Sequence, residues 1–333
     1  MKKTLSILLA LVLVLALATV AMADVQPPKR PIRVAFGTGS TGGNFYLVGG
    51  GMAGVMNNLL PEFFSVTAEE TGGSSANLQM IENGEIDLGI SMTSTIAEAV
   101  AGTAKWSNGK PSENIRGLVP LYPSYMTVYT LANSGITCWS DFAGKIIGTG
   151  SSGAAMDSYM RKAFVDLGIE VKDIFNDGHG ATATALSDEN IDAAILFSLP
   201  PFAAIAELEA TKELRFIGVT EEEQAYFTQY PFYSAATMPA GSYKGNADYD
   251  VPTISEWNML CVSKEMDADY VYVLAKTFFE NNPDLVAIHH SLSYVLTENA
   301  QFFNCPLHVG VIRYLEEVGV TVPESLIPAE YTK

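Results

Sequence analysis

Two short stretches, Gly37-Thr38-Gly39-Ser40-Thr41-Gly42 and Gly148-Thr149-Gly150-Ser151-Ser152-Gly153, read GTGSTG and GTGSSG and stand at matched places in two halves of the chain. The first follows the apolar run Ile32 to Phe36, the second Lys145-Ile146-Ile147. Each runs into a helical pattern. Phe45, Val48, Met52, Val55, Met56 and Leu59 recur at helical spacing and end at Pro61; Met156, Met160, Phe164 and Leu167 do so and stop at Gly168. Beyond the first helix the pattern predicts a strand from Phe63 to Ala68, a short helix around Leu78 to Ile81 and a strand from Ile86 to Met92. Beyond the second it predicts a strand from Val171 to Phe175, the loop Asp177-Gly178-His179-Gly180, a short helix around Thr182 to Leu186 and a strand opening with Ile191-Asp192. NGEIDLGISM in the first half therefore aligns with DENIDAAILF in the second. Alternation of this kind predicts an α/β protein made of two similar units.

Read alone, Gly37-x-Gly39-x-x-Gly42 is the turn that cradles a dinucleotide phosphate. The start of the chain argues against that ligand. Met1-Lys2-Lys3, the apolar run Leu5 to Val20 and the small-residue ending Ala21-Met22-Ala23 form a secretory signal, with cleavage expected after Ala23 and a periplasmic destination. Polar Asp24-Val25-Gln26-Pro27-Pro28 favours cleavage over a retained membrane anchor. Nicotinamide and nucleotide cofactors are scarce outside the cell, and no cofactor is expected. Without Lys2 and Lys3 the chain keeps 17 basic against 37 acidic residues, a charge of −20 that repels nucleic acid and anionic lipid. Neither is an expected partner, and no membrane insertion is expected after cleavage.

Cys138, Cys261 and Cys305 permit at most one internal bridge, and both thiols and a bridge stay open. His289-His290 falls in a predicted helix, His179 in the glycine loop and His308 in a turn, with no metal-binding spacing.

In an open α/β sheet the ligand crevice lies beyond the carboxyl ends of the strands. Two such units facing one another place two helix N-termini, each with unpaired N–H groups, on opposite walls of one cleft. Thr38, Ser40 and Thr41 on one wall and Ser151 and Ser152 on the other add hydroxyls, and Gly42, Gly43 and Gly153 admit a ligand close to the backbone. Such a cleft suits a small organic anion. Arg161, about two turns into the second helix, is expected on its solvated face, so backbone and hydroxyl donors carry the recognition.

At these residues the chain resembles the TAXI group of extracytoplasmic solute receptors, which serve tripartite ATP-independent periplasmic (TRAP) transporters. The likeness rests on GTGSTGGNFYLVGGGMAGVMN, TGGSSANLQMIENGEIDLGIS, LYPSYMTVYTLANSGI with DFAGKIIGTGSSG, MPAGSYKGNADYDVPTI and CPLHVGVIRYLEEVGV, and runs from about Ile32 to Pro328. It implies an α/β, two-lobed periplasmic-binding-protein-like (type II) fold with crossing hinge strands, a small organic acid or amino acid as ligand, and the integral-membrane TRAP subunits as partners. The implied lobes are residues 24–124 plus 255–333 and residues 125–254, after the signal peptide 1–23. Tyr125 to Leu131 and Ile254 to Val262 would be the crossing strands, and Gly241 to Pro252 a surface loop.

The resemblance assigns ligand contact to Thr38, Gly39, Ser40, Thr41, Gly42, Gly43, Asn44, Phe45 and Tyr46, and to Ser151, Ser152, Gly153 and Ala154. The strand ends Ser91, Met92 and Thr93, with Phe197 and Ser198 opposite, are weaker candidates. Relatives often carry Gly-Ser-Gly-Thr in the second loop, where this chain has Ser152-Gly153-Ala154-Ala155 and so lacks a hydroxyl. No enzyme is expected. A secreted serine hydrolase would need Ser40 or Ser152 as nucleophile, and neither sits in G-x-S-x-G. The receptor of an ATP-driven importer would have a similar lobe plan.

Overall fold

The computed structural model describes residues 25–41, 43–152 and 154–332; the signal segment with its cleavage point, Gly42 and Gly153 lie outside the described residues. The strands are β1 (Ile32–Gly37), β2 (Phe64–Glu69), β3 (Leu88–Met92), β4 (Ile115–Leu131), β5 (Ile146–Gly148), β6 (Asp173–Phe175), β7 (Ala193–Ser198), β8 (Leu214–Phe216), β9 (Ser234–Met238) and β10 (Val251–Ser263). The helices are α1 (Asn44–Leu59), α2 (Ser74–Glu82), α3 (Thr93–Ala101), α4 (Ala155–Asp166), α5 (His179–Ser187), α6 (Ala203–Leu208), α7 (Glu221–Thr228), α8 (Ala268–Glu280), α9 (Asn282–Ile288) and α10 (Val309–Glu317).

The sheet runs β2-β1-β3-β10-β4-β7-β5-β6, with β8 on β4 and β9 on β10. Read from its two ends, this order is the same series twice: β2-β1-β3 closed by β10, and β6-β5-β7 closed by β4. Within each triplet the strands are parallel, and the closing strand is antiparallel to its neighbour. The long strands β10 and β4 then pair with each other and join the halves. The result is an α/β fold of two similar lobes joined by two crossing strands.

The repeat extends to single hydrogen bonds. Asp87 accepts from Ala35 N and Asp192 from Ile146 N, both at 2.8 Å, while the two aspartate N–H groups return bonds to those residues' carbonyls. This explains why Ile-Asp recurs: the isoleucine packs inward and the carboxylate ties the strand beside it. A Cβ at Gly37 would meet Ile86 Cδ1 at 2.6 Å, and one at Gly148 would meet Ile191 Cδ1 at 3.1 Å. Glycine is required at both strand ends by close approach.

Buried side chains form one large cluster from residues 34–122 and 259–326, joined by Leu199, and two smaller clusters from residues 126–254. In the second of these regions Trp139 is fully buried among Phe142, Phe164 and Phe227.

Several expectations shift. β4 begins at Ile115 rather than Tyr125, because Pro120 and Pro123 hide the strand from a pattern reading; both sit where β4 faces β10, whose register shifts between Asn258 and Met259. His179 opens α5 instead of lying in a loop, and α9 ends at Ile288, leaving His289 extended. His308 caps α10 and accepts from Gly310 N. Gly241 to Pro252 is not a plain surface loop: Tyr243 is buried and stacked on Phe216 at 4.7 Å, Asn246 is buried, and β10 begins at Val251. All three cysteines are free thiols, with Cys261 and Cys305 buried.

Candidate functional site

In each lobe the chain passes from the middle strand of the triplet to one side, then returns on the other side: β1 to β2 and back to β3, β5 to β6 and back to β7. Loops that leave a sheet at such a reversal diverge and open a crevice. The two glycine loops are the segments that leave β1 and β5.

Their frameworks superpose bond for bond. Thr38 N donates to Glu69 O at 3.0 Å and Thr149 N to Phe175 O at 3.1 Å; Gly43 N donates to Ser40 O at 3.0 Å and Ala154 N to Ser151 O at 3.1 Å. Gly43 and Ala154 are thus equivalent N-caps, both extended, and neither has a side-chain capping bond. An α-helix leaves its first N–H groups without intrahelical partners, so both starts keep donors for a ligand. In the first loop one donor already faces a carboxylate, since Thr41 N donates to Glu70 Oε1 at 3.2 Å.

The side chains beneath the loops differ. Under the first, Asn77 is fully buried and donates to Thr38 O and Ile90 O at 2.8 Å each, while the Thr71 hydroxyl donates to its Oδ1. The Thr38 hydroxyl donates inward to Glu69 O at 2.6 Å. Under the second, Asp157 accepts from the Thr149 hydroxyl at 2.7 Å, from Asn176 at 2.9 Å and from Arg161 Nε at 3.0 Å. Burial alone would raise the Asp157 carboxyl, but these hydrogen bonds outweigh it and hold the group below the usual carboxylate range. Arg161 is exposed, as expected, yet its guanidinium is engaged: it also donates to Asn176 Oδ1 at 2.7 Å and buttresses the loop from its solvent side.

Of the residues nominated from sequence, Ser40, Thr41, Ser151 and Ser152 are exposed on the loops, Asn44 and Ala154 are half-buried at the helix starts, and Tyr46 is 39% exposed. Thr38 is buried, and Gly39 is buried against Phe45, which packs on the core. Ser91 is buried and donates to Met92 O at 3.2 Å. Half-buried Met92 caps α3 through its backbone. Phe197 stacks on Tyr233 at 5.4 Å within the second lobe's core, beside buried Ser198. Thr93, also buried, has a hydroxyl without a hydrogen-bond partner and borders a cavity of about 330 Å³ shared with Phe232, Trp257, Phe302 and Asn304. None of the described loop residues lines that cavity.

Sequence reasoning missed Glu256. It lies on β10, is 1% exposed, and accepts from Ser94 N at the start of α3 at 3.0 Å. Burial raises its carboxyl to about 7 against the lowering effect of the Ser94 hydrogen bonds. The available signal was the one charged residue in the strand pattern of Ile254 to Val262.

A sequence profile described as the NMT1-like family matches residues 36–319, most of the chain. The chain belongs to the NMT1-like family. Solved structures share the fold of this NMT1-like protein at low identity. A binding-protein component of a phosphonate ABC transporter from Pseudomonas aeruginosa is 13% identical, covering 82% of this chain and 86% of that one, with a TM-score of 0.53. A TctC solute-binding protein from Polaromonas is 16% identical over 80% of this chain and 88% of that one, with a TM-score of 0.50. A histidine kinase sensor domain described as similar to periplasmic binding proteins is 12% identical over 81% and 99%, with a TM-score of 0.51. The fold of this NMT1-like chain is that of periplasmic solute-binding proteins.

Proposed function

We propose that this NMT1-like protein is a TAXI-type extracytoplasmic receptor. It is exported with its signal removed after Ala23, captures a small organic anion, a carboxylate or amino acid, between lobes 24–124 plus 255–333 and 125–254, and delivers it to the membrane subunits of a TRAP transporter. The observation that carries this reading is the pair of matched helix starts at Gly43 and Ala154, each without a side-chain cap and each at a chain reversal of its lobe. The separate buried clusters support the lobe division. Thr38 to Tyr46 and Ser151 to Ala154 are the contact segments, with Gly42 and Gly153 supplying backbone approach and Ser91, Met92, Thr93 and Phe197 closing the strand ends. Each role requires binding and not bond breaking.

The test is a thermal-shift screen of the exported chain, stripped of carried-over ligand by unfolding and refolding, against small carboxylates and amino acids. A ligand at 100 times its Kd stabilises by about 2.7 kcal/mol, which a melting curve resolves. A shift with a narrow set of acids is the expected result; no shift with any of them would remove the anion-receptor reading.

A further inference from the structure

Glu256 carries a feature that capping α3 does not explain. Its Oε2 takes the Ser94 N–H, while its Oε1 is buried without a hydrogen-bond partner. It takes part in none of the ion pairs found among the described residues. The groups that interact with it are neutral or acidic: Ser94 and Glu98 from α3, Tyr159 from α4, and Tyr233 from the segment after α7, with Tyr230 packed against the two tyrosines. Glu98 is itself pushed up by burial, with Lys105 opposing the shift. The Tyr233 hydroxyl is also buried without a partner. A carboxylate in such surroundings is costly unless it holds a proton or meets a cation.

The sheet register fixes where this group stands. On the first lobe's side, β1 pairs β3 through Gly37 and Gly89, and Asn77 ties Thr38 to Ile90, so the first loop leaves the sheet beside Met92. Met92 is the partner of Asn258, two residues from Glu256. On the other side, β5 pairs β7, and β7 ends at Ser198; its partner Tyr125 faces Ser255, next to Glu256. Glu256 thus falls on the crossing strand between the ends of β3 and β7, the neighbours of the two loop-bearing strands. Tyr159, one turn into the helix that the second loop starts, packs edge-on against Tyr233 at 6.0 Å and feels the charge of Glu256.

We propose that Glu256 receives the ammonium group of the ligand, whose carboxylate is held at a loop helix start, so that the cargo is an α-amino acid in preference to a 2-oxo acid or a dicarboxylate. The inference rests on the receptor reading and gives it a substrate class. Tyr159 and Tyr233 supply hydroxyl oxygens as further acceptors around the same ammonium group. On binding, Glu256 gives up the proton it holds in the empty protein and the ligand ammonium takes its place; the proton leaves to solvent.

The experiment uses the stripped exported chain and matched probes: L-alanine against pyruvate, L-leucine against 4-methyl-2-oxopentanoate and L-glutamate against 2-oxoglutarate. Isothermal titration at pH 6 in buffers of different ionisation enthalpy reads affinity and proton release together. The expected result is about 10- to 100-fold preference for the amino member of at least one pair, the scale of a hydrogen bond to a charged group, with close to one proton released. In Glu256→Gln the preference and the proton release should both disappear while the oxo acid still binds. The proton count in the unmodified protein stands as a separate check if that variant fails to fold. Equal binding within every pair, or amino-acid binding without proton release, would overturn the assignment and leave the anion receptor standing. Failure of all six probes to bind would overturn both.

Discussion

The two glycine loops share a backbone framework but rest on different supports. Below the first lies a neutral amide, Asn77, that ties two carbonyls; below the second lies a carboxylate, Asp157, that gathers a hydroxyl, an amide and a guanidinium. The backbone bonds from Thr38 and Thr149, and from Gly43 and Ala154, match to within 0.1 Å. The difference teaches that the geometry of the helix start is what both lobes retain, and that more than one side-chain chemistry can hold it. It also gives the lobes unequal responses to mutation and to pH.

The largest expected effect comes from removing each support. Asn77→Ala should cost about 4 kcal/mol, because it strips a buried donor from two carbonyls, Thr38 O and Ile90 O, at once. Asp157→Ala should cost less, about 2 kcal/mol, since Arg161 is 47% exposed and can return to water. Urea unfolding of both variants measures the pair; equal losses would mean that the amide and the carboxylate carry the same load and that the two supports do not differ in strength.

The next effect separates the loop support from the crossing strand. Glu256 has its folded pKa raised from 4.5 to about 7. Its favourable contribution is therefore complete below pH 4.5 and is lost as pH rises through about 7, an effect of about 3 kcal/mol between those limits. Asp157 behaves in the opposite sense: its pKa is lowered, so its contribution is present above the ordinary carboxylate range and is lost as pH falls below it. His179, His289 and His308, each held low by desolvation, add the opposite slope, so the quantity to read is the difference: from pH 4.5 to 8 the unmodified protein should lose stability relative to Glu256→Gln as pH rises. An unchanged slope in that variant would assign the effect to other groups.

The repeat was legible because its causes are local. Glycine at a crowded strand end, isoleucine and aspartate at the next strand, and apolar residues at helical spacing all leave short-range marks, and they gave β1, α1, β5 and α4 nearly to the residue. What escaped depends on long-range neighbours. Arg161 is solvated, but its bond to Asn176 depends on where the chain leaves β6, and Tyr243 looks like loop sequence until Phe216 stacks on it. Glu256 looks like the polar face of a strand until α3 and α4 close over it. Thr38 was nominated as a ligand hydroxyl, but its proton points to Glu69, leaving only the oxygen's remaining lone pairs; the exposed hydroxyls at Ser40, Thr41, Ser151 and Ser152 are better placed.

The smallest expected effect tests the helix starts themselves. Ala154 sits at φ −63°, ψ 150°, the extended geometry in which a serine hydroxyl bonds the N–H two or three residues on. Ala154→Ser should therefore stabilise the empty protein by about 1 kcal/mol. The same hydroxyl would occupy a donor that the ligand needs, so affinity for the acid found in the screen should fall several-fold even as the melting temperature rises. A gain in stability with affinity unchanged would make the second helix start an ordinary capping position and leave the first loop to hold the anion alone. Opposite movement of the two quantities would tie the donors freed by the missing cap to the cargo, and would account for an alanine where a hydroxyl would otherwise be the more stable choice.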